Sequence, residues 1–465
     1  MTVRAVAAVD LGATSGRVMI GRVGDGRLDL ELVSRFPNGP VEREDGLHWD
    51  FAALYEHVVA GLAEAVRREP DIESIGIDSW AVDYGLLKDG ALLAEPFHYR
   101  DDRTARGVAE VHGITPFADL YTRNGLQFLP FNTLYQYRVE ERLAEADVAL
   151  LIPDLIAFLL TGVAVAERTN ASTTGLLGVA DTEWDTNLAE RLGIPSRILP
   201  RLVDPGSTVG TVRPEIAALL GKDLPVIAVG SHDTASAVVA APLSTPHSAY
   251  ISCGTWGLVG IELTAPVLTD AAREANFTHE LGVDGRYRFL HNVTGLWLLS
   301  ETVRAWETED GAGIDLPELL SAASEVTGEV PVFDANDSSL GSPGDMPARI
   351  AALLGAAAPT TRAAFARSIV ESIAAAFADA VQTAADLSGR ELDAIHLVGG
   401  GSLNRLLCQA TADRTGLPVL AGPVEATALG NVLVQARALD AAPATLEELR
   451  ALVAATHAPE RFDPR

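Results

Sequence analysis

The residues of this chain that could do chemistry sit where short apolar runs end. Val226–Val229 is one such run; it leads into Gly230-Ser231-His232-Asp233-Thr234 and then a small-residue stretch that reads as a helix. A carboxylate between a buried strand and a helix start is placed to take a proton from a bound hydroxyl, which makes Asp233 the candidate general base. Asp is also a favoured helix N-cap, and the local sequence alone leaves both readings open. A second run, Arg4–Val9, ends in Asp10-Leu11-Gly12-Ala13-Thr14-Ser15-Gly16-Arg17. Glycines let a ligand approach the backbone, and successive N–H groups in a tight turn form an anion nest. Asp10 at the strand end could hold Mg2+ through water. Gly254-Thr255, after the run Ala249–Ser252, repeats this chemistry, and two such turns facing each other would suit a polyphosphate. An ordinary glycine-containing hairpin turn is the plainer reading of each alone. Gly399-Gly400-Gly401, between a buried strand and a helix, offers a flat surface for an adenine, or else close strand–helix packing. A dinucleotide fingerprint fails there, because Asn404 stands where the last glycine belongs.

Other chemistries are excluded by what is missing. Neither lysine, Lys88 or Lys222, follows a phosphate-binding G-x-x-x-x-G, and no H-R-D and D-F-G pair occurs. Asp334-x-Asn336-x-Ser338 with Asp345 lacks the glycine that a calcium loop requires, since Ser339 occupies that place. His232 has no second His or Cys at metal-ligand spacing and reads as a substrate contact or a buried core histidine. Cys253 and Cys408 are the only cysteines, so there is no disulfide framework and both read as small core residues.

Composition sets the frame around these turns. The 465 residues suggest two or three domains, and 48% hydrophobic with 21% charged residues describes a globular protein. A net charge of -28 argues against nucleic acid and against an anionic membrane surface. No apolar run reaches the length of a membrane span, and the N-terminus enters a strand without a basic or cleavable leader. The expectation is a cytoplasmic protein, monomer or homodimer.

The elements that must position the turns are α/β. Arg4–Val9, Arg17–Val23 and the alternating Leu28, Leu30 and Leu32 predict an antiparallel hairpin and meander. Helical periodicity over 49–68, with Asp50 as N-cap, precedes a buried strand over 74–82 framed by Asp78 and Asp83. Residues 140–161 read as helices ending on Gly162, and 169–177, 200–210 and 332–347 as loops. The strand–Gly-Thr turn–strand pattern at 250–261 echoes the hairpin at 5–20, which suggests two lobes from one folding unit. A long alanine-rich helix over 361–387 closes on Gly389, a strand over 391–398 follows, and a helix starts near Leu403. Thr445 with Glu448 forms a capping box for the last helix.

Asp10-x-Gly-Ala-Thr, GSHDTASAV, ISCGTW and GGGSLN occur in this order between about Val6 and Ala436. Together they resemble the FGGY carbohydrate kinases of the actin–hexokinase–Hsp70 (ribonuclease H-like) fold group. The longer stretches SIGIDSWAVDYGLL, YRDDRT, GLQFLPFNTLYQ and GRYRFLHNVTGLWLL are similar to the branch that phosphorylates L-rhamnulose. The resemblance implies two lobes with a cleft between them: a sugar- and phosphate-binding lobe over 1–243, a nucleotide-binding lobe over 244–440, and a helical tail over 441–465. It implies ATP-dependent transfer to the 1-hydroxyl of L-rhamnulose, in rhamnose catabolism, with Asp233 as base. Ala81, Asp83, His232, Thr234 and Asn292 would join Asp233 around the sugar. Ala13, Thr14, Ser15, Gly16, Arg17, Thr255, Gly400 and Gly401 would hold ATP, with Asp10 near the Mg2+. Ala81 and Ser300 depart from the usual Gly and Gln of the family, which bears on the sugar preferred rather than on the reaction. A kinase for L-fuculose or xylulose is the nearest alternative. A nucleotide-switch protein without catalysis would need neither the Trp80–Asp83 nor the His232–Thr234 group.

Overall fold

The computed structural model describes residues 2–243 and 245–465 of the chain. They form two compact units. The first comprises Met1–Pro242, Glu262–Phe289 and Ala426–Thr456, and the second Leu243–Ile261, Leu290–Glu425 and His457–Arg465. The segments expected at 1–243, 244–440 and 441–465 follow chain order, whereas the units do not. The reason lies in the helix Ala426–Ala438, which is buried along most of its length and packs on the helix Asp233–Ala240 and the opening strands.

The first unit is built on a six-stranded sheet. Its centre is the strand Arg4–Leu11, buried along nearly its whole length, as its run of apolar residues requires. Ser15–Gly24 returns antiparallel to it, Arg27–Pro37 continues the meander, and Ile72–Ser79 lies parallel on its other side. Pro225–Ile227 and then Thr208–Thr211 complete the far edge. The helix Phe51–Arg68 starts as expected, with the Asp50 side chain accepting from the Ala53 N–H at 3.2 Å.

The second unit repeats the opening motif. Ser248–Cys253 pairs antiparallel with Trp256–Leu263 and parallel with Ala394–Val398. This is the relation that Arg4–Leu11 has to Ser15–Gly24 and Ile72–Ser79, so the echo in the sequence is an echo in topology. Val419–Ala421 and Glu460–Phe462 extend the sheet. Arg362–Ser388, capped by the Thr361 hydroxyl and ended by Gly389 at φ +66°, covers it.

Several elements differ from expectation. Within 140–161 only Ile152–Thr161 is a long helix, because Val148–Leu151 is a strand pairing antiparallel with Tyr84–Lys88. An apolar run of four residues does not by its own period distinguish strand from helix, and here the partner strand decides. The stretch 169–177 contains a helical turn, Arg168–Ala171; 200–210 holds the strands Arg201–Val203 and Thr208–Thr211; and Ser338–Leu340 forms a short 3-10 turn. The helix expected near Leu403 begins at Arg405, after a 3-10 turn over Gly400–Leu403. The capping box of Thr445 and Glu448 is formed in both directions.

Candidate active site

Three carboxylates converge at strand ends in the first unit. Asp10 and Asp78 occupy paired positions on the parallel strands Arg4–Leu11 and Ile72–Ser79. Asp233 arrives by a different route. After Pro225–Ile227 the chain runs on beside the same strand, with the Ser79 N–H donating to the Ser231 carbonyl at 2.9 Å, and then enters the helix Asp233–Ala240. The N-cap position of that helix is His232, whose side chain makes no capping hydrogen bond, and Asp233 is the first helical residue rather than the cap considered for it. Asp233 keeps 31% of its side chain exposed, while Asp10 and Asp78 are buried. It is the carboxylate of the three that a substrate can reach.

The cluster is electrostatically crowded. Burial first, then the charges of Asp10 and Asp233, push the Asp78 carboxyl well above the usual range, against the hydrogen bond from Asn431. The Asn431 side-chain N–H donates to Asp78 Oδ2 at 2.6 Å, and Asp78 Oδ1 has no hydrogen-bond partner among the described residues. The Arg17 Nε lies 3.3 Å from Asp10 Oδ2 and is the nearby cation. No group of three His, Cys, Asp or Glu among the described residues forms a ready-made metal cage. Excess negative charge with one orphaned buried oxygen fits a hydrated Mg2+ held by a carboxylate or two together with phosphate.

The turn beyond Asp10 is closed by Gly12 N–H to Ser15 O at 3.0 Å and pinned by the Asn38 side-chain N–H to Gly12 O at 2.8 Å. Thr14 is exposed and Ala13 and Ser15 half-buried, whereas Gly16 is buried. A Cβ at Gly16 would lie 2.2 Å from the Phe36 ring, so packing explains that glycine. In the second unit the Gly254-Thr255 turn is closed by Gly254 N–H to Trp256 O at 2.8 Å. The Thr255 carbonyl accepts from the Gly295 and Trp297 N–H groups. The glycine run lies against the same strand end. A Cβ at Gly401 would meet Cys253 Sγ at 2.3 Å, and Gly399 sits at φ +85° against the Cys253 carbonyl. Gly400 alone is exposed, with open space where a side chain would be. Asn292, on the strand Tyr287–Thr294, is half-buried in this unit. Cys253 and Cys408 are buried free thiols, and burial pushes both up.

A second part of the first unit surrounds the expected sugar residues. The Trp49 and Trp80 rings pack with centroids 4.1 Å apart, and both indole N–H groups donate to Asp83 Oδ2, at 2.7 and 3.1 Å. The Tyr99 N–H donates to the same oxygen, and Gln136 Nε2 donates to Oδ1 at 3.0 Å. Asp83 is therefore fully buried behind the indoles, and burial raises its carboxyl to about 6 against those hydrogen bonds. Between Trp80 and Asp83 the backbone makes a γ-turn: the Asp83 N–H donates to the Ala81 carbonyl, with Val82 at φ +68°. That conformation is strained for a β-branched residue. It is held by Thr133 Oγ1 and Gln136 Nε2 donating to the Val82 carbonyl at 2.8 and 3.3 Å. The polar-aromatic stretch 125–136 thus wraps the turn that carries Ala81, which is half-buried.

Sequence reasoning missed the residues that hold His232 and Ser231. Glu167, fully buried, accepts from Ser231 N and Oγ at 3.0 and 2.8 Å and from the Thr169 N–H at 2.8 Å. Arg288 is entirely buried, and its Nη2 donates to His232 Nδ1 at 2.9 Å while lying 3.1 Å from Glu280 Oε2. Burial works to raise the Glu280 carboxyl, but the Arg288 charge and His232 outweigh it and the net shift is downward. A signal did exist, since Glu167, Glu280 and Arg288 are charged residues inside apolar strands, where charge persists only when paired.

The whole chain matches known proteins with this architecture. Residues 5–240 match the N-terminal domain of the FGGY family of carbohydrate kinases, and residues 249–439 match its C-terminal domain. The chain belongs to this family. It is a sugar kinase, a phosphotransferase. A rhamnulokinase of Bacteroides thetaiotaomicron is 39% identical over 439 residues, 92% of this chain and 90% of that protein. One of Klebsiella pneumoniae subsp. pneumoniae is 40% identical over 477 residues, 100% of this chain and 95% of that protein. Among solved structures, a gluconate kinase from Lactobacillus acidophilus superposes with a TM-score of 0.81 at 18% identity, covering 100% of this chain and 94% of that one. A ligand-bound xylulose kinase from the same organism gives 0.80 at 17%, covering 99% and 94%. The fold is the actin/hexokinase-like two-domain α/β fold of these kinases. No helix among the described residues is long and apolar enough to cross a membrane.

Proposed function

We propose that the protein transfers the γ-phosphoryl group of ATP to the 1-hydroxyl of L-rhamnulose, with Asp233 as the general base, in rhamnose catabolism. The observation that carries the chemistry is the contrast among the three carboxylates: only Asp233 is open to a substrate. The sugar rests on the full-length likeness to rhamnulokinases. ATP supplies the phosphoryl group and Mg2+ neutralises its charge, as such transfer requires. Asp233 takes the hydroxyl proton as O1 bonds to phosphorus and ADP departs. Asp10, with Asp78 beside it, would hold the Mg2+ through water. Ala13, Thr14, Ser15 and Gly16, with the Arg17 guanidinium, and Thr255, Gly400 and Gly401 in the second unit, serve the nucleotide. Ala81, His232, Thr234 and Asn292 serve the sugar, and Asp83 serves it by fixing the indoles of Trp49 and Trp80. Two buried free thiols suit a cytoplasmic setting.

ADP release measured across a panel of L-rhamnulose, L-fuculose, D-xylulose and D-gluconate tests this reading. The highest kcat/KM is expected for L-rhamnulose. Phosphorylation of xylulose or L-fuculose far ahead of it would sink the sugar assignment and leave the kinase chemistry standing.

A further inference from the structure

The surroundings of Asp233 distinguish its two oxygens. Oδ1 accepts from the Thr234 N–H at 2.6 Å and from the Thr234 hydroxyl at 3.2 Å, and His232 Nε2 lies 3.4 Å from it. Oδ2 has no hydrogen-bond partner among the described residues. Which way His232 presents itself to Oδ1 depends on its other nitrogen. A guanidinium can only donate, so the 2.9 Å contact from Arg288 Nη2 makes Nδ1 an acceptor; Glu280 Oε2 lies 3.2 Å from the same nitrogen but is hydrogen-bonded to none of the described residues, which leaves the ring proton on Nε2. Arg288 has little freedom to do otherwise. Its Nε donates to the Leu281 carbonyl at 3.2 Å, and Glu280, 3.1 Å from Nη2, balances its charge.

We infer that Arg288, held by Glu280, fixes His232 as the Nε2–H tautomer. That N–H faces Oδ1 of Asp233 from 3.4 Å, Thr234 clamps the same oxygen with two hydrogen bonds, and Oδ2 is the oxygen that takes the sugar proton. Arg288 and Glu280 are positioning residues in this scheme. They act through a ring that touches the base. The role of the clamp rests on the proposed general-base reading; the tautomer does not.

The test uses the full chain labelled with 15N-histidine, without sugar or nucleotide, at neutral pH. The His232 signals are identified by their loss in His232→Gln. Imidazole nitrogen shifts of an Nε2–H tautomer are expected; an Nδ1–H ring or an imidazolium would overturn the proposal. In Arg288→Gln the tautomer is expected to become mixed and kcat to fall about tenfold or more, as for a lost hydrogen bond from a charged donor, with partial rescue in Arg288→Lys. Nucleotide affinity should stay within about twofold of the parent, since the lost contact lies on the acceptor side. An unchanged tautomer with unchanged kcat in Arg288→Gln would also overturn it. Should that variant not fold, Glu280→Gln and the parent spectrum decide. The spectrum is independent of which ketose is phosphorylated, and the kinetic arm is run on the ketose the panel selects, so failure of the sugar assignment is distinguishable from failure here.

Discussion

Asp10 and Asp78 stand opposite each other at the ends of two parallel strands, and both are buried. Asp78 has the less favourable place, with Asn431 on one oxygen and no partner on the other. Its carboxyl is raised, by burial first and then by the charges of Asp10 and Asp233, which means that it favours folding below its unfolded value of about 4 and that this contribution is lost as pH rises through the folded value. Asp78→Asn keeps an oxygen for the Asn431 N–H and removes the charge. Its melting temperature relative to the parent should rise with pH above about 4, read by thermal denaturation across a pH series. A difference that does not change with pH would mean that Asp78 is not held neutral by the fold.

Asp233→Asn should lower kcat by a factor of about 100 to 10,000, the usual contribution of a general base, while nucleotide binding measured by calorimetry stays as in the parent. Turnover within a few-fold of the parent would remove Asp233 from the base role.

Asp83 holds two indoles through one oxygen, and its raised value gives a second pH signature. Stability contributed by the neutral carboxyl is present below about 4 and lost as pH rises through about 6. The effect is on the order of 2–3 kcal/mol. Asp83→Asn should flatten that slope. It should also raise the ketose KM with little change in the ATP KM, because an amide nitrogen facing Gln136 Nε2 puts two donors together. Equal changes in both KM values would place Asp83 outside the sugar side.

Gly430 leaves the least room of any glycine among the described residues: a Cβ there would lie 1.8 Å from the Ser236 carbonyl, on the helix that Asp233 begins. Backbone cannot give way as a side chain can. Gly430→Ala should cost about 2 kcal/mol or more in stability, the range for overpacked interiors, and should lower kcat by shifting that helix. An unaltered melting temperature with parental kcat would show that the two helices have slack.

The strand-exit turns could be read in the sequence because their signals are local: a buried run, then glycines, then a carboxylate or hydroxyl within a few residues. The partners of Asp78 and His232 could not. Asn431 is 353 positions from Asp78, and Arg288 is 56 from His232, and no period or spacing connects such pairs. Asp83 stands out in the sequence as a carboxylate at a strand end, but nothing there shows that four protein donors occupy it. Val148–Leu151 reads as helix by itself for the related reason that its strand partner lies some sixty residues upstream in Tyr84–Lys88.

The Asn431 and Gln435 side chains close the buried polar chain beneath the carboxylates, linking Asp78, the Ala7 carbonyl and Ser74. Those two residues belong to a segment, Ala426–Thr456, that leaves the ribosome long after Pro242. At ordinary translation rates the interval is roughly 10–40 s. During it the nascent sheet lacks the donor to Asp78 and the helix against Ser236. A product truncated before Ala426 would therefore lack both the donor to Asp78 and the helix that packs on Asp233–Ala240.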